Sequence, residues 1–178
     1  MSRRAVFFDR DGVVNLTPGP GYVLRWEDFH FSPGIVEALA LCRARGYATV
    51  LATSQQGVGK KLMSQADLDL IHVNMQDHLR AHGAEFDGIY ACTCLKTDPD
   101  CNCRKPSAEM ILRAAADLDL DVNQSLLVGD ADRDIEMGTN AGVPVTIRIE
   151  SENPHRVTAT HTLPDTTGLA ALLAQLLV

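Results

Sequence analysis

Positive charge is scarce in this sequence: 16 lysines and arginines stand against 23 aspartates and glutamates, for a net charge of -7. A protein that binds a phosphate backbone needs a basic face to displace counterions, so the balance argues against a nucleic-acid partner. It leaves room for a small anion met by a few local cations. Long apolar runs are missing as well, and no stretch approaches the ~20 residues of a membrane span. Met1-Ser2-Arg3-Arg4 resembles the start of an export signal, but the apolar run behind it, Ala5–Phe8, stops at Asp9. A secretory signal needs an apolar region of about 7–15 residues. The expectation is a cytoplasmic protein, in which paired disulfides are rare and clustered cysteines more often hold metal.

Other absences narrow the chemistry. No repeat, linker or low-complexity tract interrupts the chain. No histidine has the neighbours of a nucleophile-activating triad, and His78 with His82 reads as a solvated helix face. Gly57-Val58-Gly59-Lys60-Lys61 fails the Walker pattern, which needs glycine where Ser54 stands and a hydroxyl residue where Lys61 stands.

What is present is an alternation of strand and helix signals. Ala5–Phe8 is an apolar run ending in a polar loop, as a buried strand does. A helix opens at Pro33, carries Ile35, Leu39 and Cys42 on one face and closes at Gly46. Tyr47–Ala52 reads as a second strand. Ser64 with Asp67 forms an N-cap signature ahead of the stripe Leu68, Ile71, Met75 and Leu79. Gly88–Ala91, Ser125–Val128 and Val143–Ile147 read as further strands, with helices at Ser107–Leu120, Asp132–Ala141 and Leu169–Leu177. An edge strand is expected near Thr158–Thr162. This order predicts an α/β fold, a Rossmann-like three-layer sandwich with a mainly parallel central sheet. The 178 residues suit one domain spanning the whole chain, without a cap domain and more consistent with a monomer than an oligomer.

Ligands of such sheets bind beyond the carboxyl ends of the strands. Asp9 and Asp11, Thr53 and Ser54, and Asp130 all follow strand ends, with Asp134 one helical turn further on. Two like charges about 4 Å apart repel by roughly 4 kcal/mol at an effective dielectric near 20. Four converging carboxylates therefore call for a hard cation, and Mg²⁺ suits oxygen ligands. The alternative is that Asp11-Gly12 and Gly129-Asp130 are only turns.

Four of five cysteines sit together, Cys92-x-Cys94 and Cys101-x-Cys103, across a six-residue spacer. Four thiolates match tetrahedral Zn²⁺ with no position left for water, which makes the ion structural. A disulfide or free thiols are the alternative. The stapled loop would present Arg104 and Lys105 to the carboxylates. Cys42 belongs to the apolar stripe of its helix.

Taken as a set, these residues resemble the haloacid dehalogenase superfamily of phosphatases. Phe8-Asp9-Arg10-Asp11-Gly12-Val13 is similar to its first motif, Thr53 to the second, Lys105 to the third, and Gly129-Asp130 with Asp134 to the fourth. The resemblance implies that Asp9 is the nucleophile, that Asp11 is the general acid and base, and that Thr53 and Lys105 act on the transferring phosphoryl group. It also implies Mg²⁺ on Asp9, the Asp11 carbonyl and Asp130, with Asp134 steadying its water shell. The cysteine loop followed by Arg104-Lys105-Pro106 resembles the branch containing heptose bisphosphate phosphatases and histidinol-phosphatases, and it implies that Arg104 recognises substrate. Ser54, Gln55, Gln56 and Lys60 join Arg104 as candidate substrate contacts. Gly21-Tyr22-Val23 resembles the heptose branch, whereas the short cysteine spacer is nearer the histidinol type. Three positions depart from the pattern: Ser54 stands for an asparagine, Ala131 for a basic residue, and Cys94 for a histidine. The implied activity is a Mg²⁺-dependent phosphomonoesterase for a small phosphorylated metabolite, first a heptose bisphosphate and alternatively histidinol phosphate. A silent zinc-containing binding module and a nucleic-acid end phosphatase are the rival readings.

Overall fold

The computed structural model describes residues 2–178. Six strands form one sheet: β1 (Ala5–Phe8), β2 (Ala48–Ser54), β3 (Gly88–Cys92), β4 (Leu126–Gly129), β5 (Val145–Ile149) and β6 (His161–Leu163). Their spatial order is β3-β2-β1-β4-β5-β6 and every neighbouring pair is parallel. The sheet is thus wholly parallel rather than mainly so. The helices are α1 (Ile35–Ala44), the single turn α2 (Gln56–Gly59), α3 (Gln65–Arg80), α4 (Glu109–Leu118), α5 (Asp132–Ala141) and α6 (Leu169–Leu176). Between β1 and β2 stand a loop, one 3-10 turn at Trp26–Asp28 and α1, with no inserted cap domain among the described residues.

Strand periodicity divides the core. Val6 and Phe8 point to one face of the sheet, where they join Ile35 and Leu39 of α1, Ile71 and Met75 of α3, and Leu169 and Leu173 of α6. Ala5 and Phe7 point to the other face and meet Met110 and Ile111 of α4 and Ile135 of α5. Each fully buried Leu, Ile or Phe contributes about 1.5–3 kcal/mol of transfer free energy. Because β1 is covered on both faces, its four residues are all buried, as the uninterrupted apolar run requires.

Local signals set most boundaries. Ser64 caps α3 in a reciprocal box with Asp67, its hydroxyl accepting from the Asp67 N–H while Asp67 Oδ2 accepts from the Ser64 N–H at 2.8 Å. Several boundaries move from the sequence expectation. β2 continues through Thr53 and Ser54, which pair with Ala91 and Cys92 despite being polar. β5 begins two residues later, at Val145, because Pro144 lacks an N–H for the ladder. It runs on to Ile149 because Arg148 is buried and paired with Asp132 at 2.7 Å, so its charge does not end the strand. α4 spans Glu109–Leu118 rather than Ser107–Leu120: the Ser107 hydroxyl accepts from the Glu109 N–H, and Asp119 turns left-handed at φ 51°. The edge strand sits at His161–Leu163, against the expected Thr158–Thr162. Among the described residues no helix is long and apolar enough to cross a membrane.

Candidate active site

The strand order reverses between β1 and β4. From β1 the chain builds outward through β2 and β3, and from β4 outward through β5 and β6. The connections on the two sides diverge there and leave a crevice at the carboxyl ends, which is where such sheets bind ligands. Asp9 and Asp130 directly follow the two strands that flank the crevice. The Asp9 N–H donates to the Val128 carbonyl at 3.0 Å and continues the ladder into the loop. Two glycines permit the approach. Gly12 has φ +91°, and a Cβ there would collide with the Asp130 carboxylate. A Cβ on Gly129 would strike the Asp134 side chain.

Carboxylate oxygens of Asp9, Asp130 and Asp134 lie within 4.8 Å of one another, and all three residues are buried. Lys105 is buried with them. Its ammonium donates to Asp9 Oδ1 and to Asp134 Oδ1, each at 2.7 Å. Asp134 Oδ2 accepts from the Asp130 and Ala131 N–H groups at 3.1 and 3.0 Å, which fixes that carboxylate across the start of α5. Asn153, on the loop after β5, donates from Nδ2 to Asp130 Oδ2 at 2.9 Å.

The electrostatics follow from crowding. Burial first, and then the Asp134 charge, push Asp9 up to about 6 even with Lys105 beside it. Burial and the charges of Asp9 and Asp134 push Asp130 up to about 8. Burial alone would raise Asp134 too, but the Lys105 ammonium outweighs it and holds that carboxyl below its ordinary range. Burial would lower Lys105, yet Asp134 and Asp9 outweigh it and keep the amine charged above its usual value. Lys105 touches two of the three buried carboxyls and the Arg133 charge acts on Asp130 and Asp134, yet Asp9 and Asp130 stay raised, so the set is short of positive charge.

Asp11 faces the same crevice and is gripped on both oxygens. Asn15 Nδ2 donates to Oδ1 at 2.9 Å, Arg10 donates to Oδ1 at 3.1 Å, and Gln55 Nε2 donates to Oδ2 at 3.0 Å. Gln55 also donates to Thr53 Oγ1 at 2.8 Å, leaving the Thr53 hydroxyl proton free to be donated elsewhere. The Ser54 hydroxyl is buried without a partner. A cavity of about 210 Å³ opens above these groups and is lined by Asp11, Tyr22, Ser54, Gln56, Arg104, Asp130, Arg133 and Asn153. A larger one of about 690 Å³ adjoins it, sharing Asp130 and Asn153, with Glu150, Glu152 and Asp165 in its wall.

The residues expected to meet substrate fall into two groups. Ser54, Gln56 and Arg104 line the smaller cavity, and the Gln56 amide, turned with its oxygen inward, accepts from the Arg104 guanidinium. Gln55 is buried, with its amide committed to Asp11 and Thr53. Lys60 does not line this cavity; its ammonium lies 5.2 Å over the ring of Tyr22, which does. Arg133 lines the cavity one position beyond Asp132, whereas Ala131, at the position expected to be basic, is buried. Sequence reading missed Asn15, Asn153 and His72. Nothing in their local pattern announces contacts that depend on how loops fold back.

The four loop cysteines, Cys92, Cys94, Cys101 and Cys103, bring their sulfurs within 4.8 Å of one another. Three separations are 3.7 Å (Cys92–Cys101), 3.6 Å (Cys94–Cys103) and 3.8 Å (Cys101–Cys103). A tetrahedron with Zn–S of about 2.3 Å has edges of about 3.8 Å, so these three match a zinc cage. Along a fourth edge Cys92 and Cys103 are in disulfide contact, with Cys94 and Cys101 free. A two-sulfur bridge accounts for neither of the latter, and the four sulfurs together form a group that could hold one metal ion. The Gln55 N–H donates to the Cys92 carbonyl at 2.7 Å, tying this loop to the end of β2.

A family model described as HAD-hydrolase-like matches residues 102–164. The D-glycero-alpha-D-manno-heptose-1,7-bisphosphate 7-phosphatase of Burkholderia mallei is 39% identical over 166 residues, covering 88% of this chain and 85% of that protein. The D-glycero-beta-D-manno-heptose-1,7-bisphosphate 7-phosphatase of Pasteurella multocida is 36% identical over 157 residues, with coverage of 85% and 84%. The crystal structure of D,D-heptose 1.7-bisphosphate phosphatase from B. bronchiseptica, complexed with magnesium and phosphate, superimposes with a TM-score of 0.84. It is 28% identical, over 97% of this chain and 98% of that one.

Proposed function

From the premise that the chain belongs to the family of D-glycero-D-manno-heptose-1,7-bisphosphate 7-phosphatases, which are HAD-like hydrolases, we propose that it removes the 7-phosphate of that bisphosphate. The observation that carries the reading is a crevice with two cationic poles. Lys105 is buried on the carboxylates, and Arg104 and Arg133 line the cavity above them. A substrate with one phosphoryl to lose and a second to be gripped fits both poles.

In this reading Asp9 attacks phosphorus, and the bond to the leaving oxygen breaks as the aspartyl-phosphate forms. Asp11 gives its proton to the leaving alkoxide and then takes one from the water that cleaves the intermediate. The free Thr53 proton and the partnerless Ser54 hydroxyl face the phosphoryl oxygens, and Lys105 neutralises the charge they share. Mg²⁺ suits the oxygen-only donor set of Asp9, Asp130 and the Asp11 carbonyl, with Asp134 behind them, because the raised Asp9 and Asp130 values mark a deficit of positive charge. When bound, that ion supplies charge neutralisation for the anionic nucleophile and phosphoryl group.

A test follows from the competition between proton and cation. Without metal, Asp130 keeps its proton up to about pH 8 and Asp9 up to about pH 6. Cation binding must displace those protons, so Mg²⁺ affinity weakens as pH falls below about 8, by about tenfold per unit for one proton, and more steeply below about 6. Calorimetric titration at several pH values measures the slope; an affinity flat across that range would remove Asp9 and Asp130 as its carboxylate ligands.

The cysteine cage fits Zn²⁺, held by Cys92, Cys94, Cys101 and Cys103. One tightly bound zinc per chain is expected after dialysis, with all four thiols shielded from a thiol reagent until a chelator is added. A metal-free protein in which two of these thiols react at once would establish the bridge instead.

One observation favours histidinol phosphate as a second reading. Its far end is a cationic amine, and Glu150, Glu152 and Asp165 line the adjoining larger cavity. Comparing kcat/KM for the heptose bisphosphate and histidinol phosphate decides between them. A clear preference for the bisphosphate is expected, and the reverse preference would overturn the assignment. No turnover of either would favour a binding module.

A further inference from the structure

Beneath Asp11 lies a side-chain chain that the proposed reaction does not use. The Arg10 guanidinium is wholly buried. It donates to Asp11 Oδ1 from Nη2 at 3.1 Å and from Nε at 3.3 Å, and to Oδ2 at 3.4 Å. On its other side Nη1 meets His72 Nε2 at 3.2 Å. A guanidinium has no acceptor, so His72 must accept here, with its own proton on Nδ1. That needs a neutral imidazole, and burial followed by the Arg10 charge pushes His72 down to about 4. The Phe29 ring lies 5.9 Å from the guanidinium carbon.

Such an arrangement is a poor way to fill a core. Burying a cation is costly, and its only anionic partner among the described residues, Asp11, keeps 28% of its side chain exposed toward the crevice. An apolar residue would serve packing better. What the arrangement does is hold Asp11 in one orientation, joined to α3, an element 62 residues away in the chain.

We propose that Arg10 and His72 are positioning residues for Asp11: His72 fixes the guanidinium, and the guanidinium fixes the carboxyl against the leaving oxygen. The inference rests on the reading of Asp11 as the group that protonates that oxygen. The consequence is selective. An alkoxide leaves poorly without a proton, whereas a dinitrophenolate leaves without one, and kcat/KM reports the step in which the leaving group departs. General acid–base catalysis contributes about 10²–10⁴-fold, and misplacement of about 1 Å can cost about 10²-fold.

The experiment compares kcat/KM for glycerol phosphate and dinitrophenyl phosphate in the parent enzyme, His72→Leu, His72→Gln, Arg10→Lys and Asp11→Asn. His72→Leu is expected to lose about tenfold or more on glycerol phosphate and less than about threefold on the aryl ester. His72→Gln, which keeps an acceptor near the imidazole Nε2, should regain most of the loss. Arg10→Lys, which cannot span both partners, should lose glycerol phosphate selectively even if His72→Leu does not fold. Parallel losses on both esters, or glycerol phosphate turnover in both His72→Leu and Arg10→Lys within about twofold of the parent, would overturn the inference. Asp11→Asn separates the two levels. Selective loss there without selectivity at His72 and Arg10 sinks the positioning role alone. An Asp11→Asn enzyme without leaving-group selectivity removes the acid, and the positioning role falls with it.

Discussion

Asp9→Asn is expected to hydrolyse an aryl phosphate at less than about a ten-thousandth of the parental rate, because losing a nucleophile that acts within a concerted set costs about 10⁴–10⁶ in kcat. An amide oxygen does not attack phosphorus to give a stable acyl phosphate. The fold should survive. Asn is isosteric, Lys105 keeps Asp134 at 2.7 Å, and the carboxyl removed is one that burial already disfavours as an anion. Thermal unfolding and circular dichroism should therefore match the parent closely while turnover disappears and no phosphoprotein accumulates. Residual activity above about one per cent of parent would move the nucleophile elsewhere.

The residues that became legible from sequence share one property: their meaning is local. Ala5–Phe8 shows its double burial because all four positions are apolar. The capping box at Ser64 and Asp67 is written in a four-residue window. The cysteines advertise their cage through composition alone, and the aspartates at strand ends follow from a rule about parallel sheets. What stayed illegible depends on distant partners. The charge of Arg148 argues for the end of a strand until Asp132, on α5, is seen beside it at 2.7 Å. Gln55 reads as a free amide at a pocket, yet it turns inward to Asp11 and Thr53 because β2 extends two residues further than its apolar run. Nothing in the local pattern marks Arg10 as buried, and only its contact with His72 of α3 shows it as the most deeply buried cation near the site. Asn153 reaches Asp130 across 23 residues of chain, a distance no local periodicity encodes.

The two adjacent cations should separate cleanly under substitution. Lys105→Ala leaves Asp9 and Asp134 buried without their shared partner, a change that typically costs about 3–5 kcal/mol of stability. It also removes charge stabilisation from the transition state, worth about 10²–10³-fold. Every phosphate ester should suffer alike, because the transferring phosphoryl group is common to all of them. Arg104 is different. It lines the cavity beside Arg133, Tyr22 and Gln56 and touches none of the buried carboxylates. Its loss should therefore leave stability within about 1 kcal/mol. A guanidinium fork suits a phosphate in two parallel hydrogen bonds, and charge-assisted bonds of this kind are worth about 1.5–3 kcal/mol. At about 1.4 kcal/mol per factor of ten, Arg104→Ala should cut kcat/KM for a heptose bisphosphate by about 10–100-fold. A small aryl monophosphate, which has nothing to offer the distal pole, should lose less than about threefold. Equal losses on both substrates for Arg104→Ala would place this side chain at the transferring phosphoryl instead, and with it would go the argument that the crevice grips two phosphates.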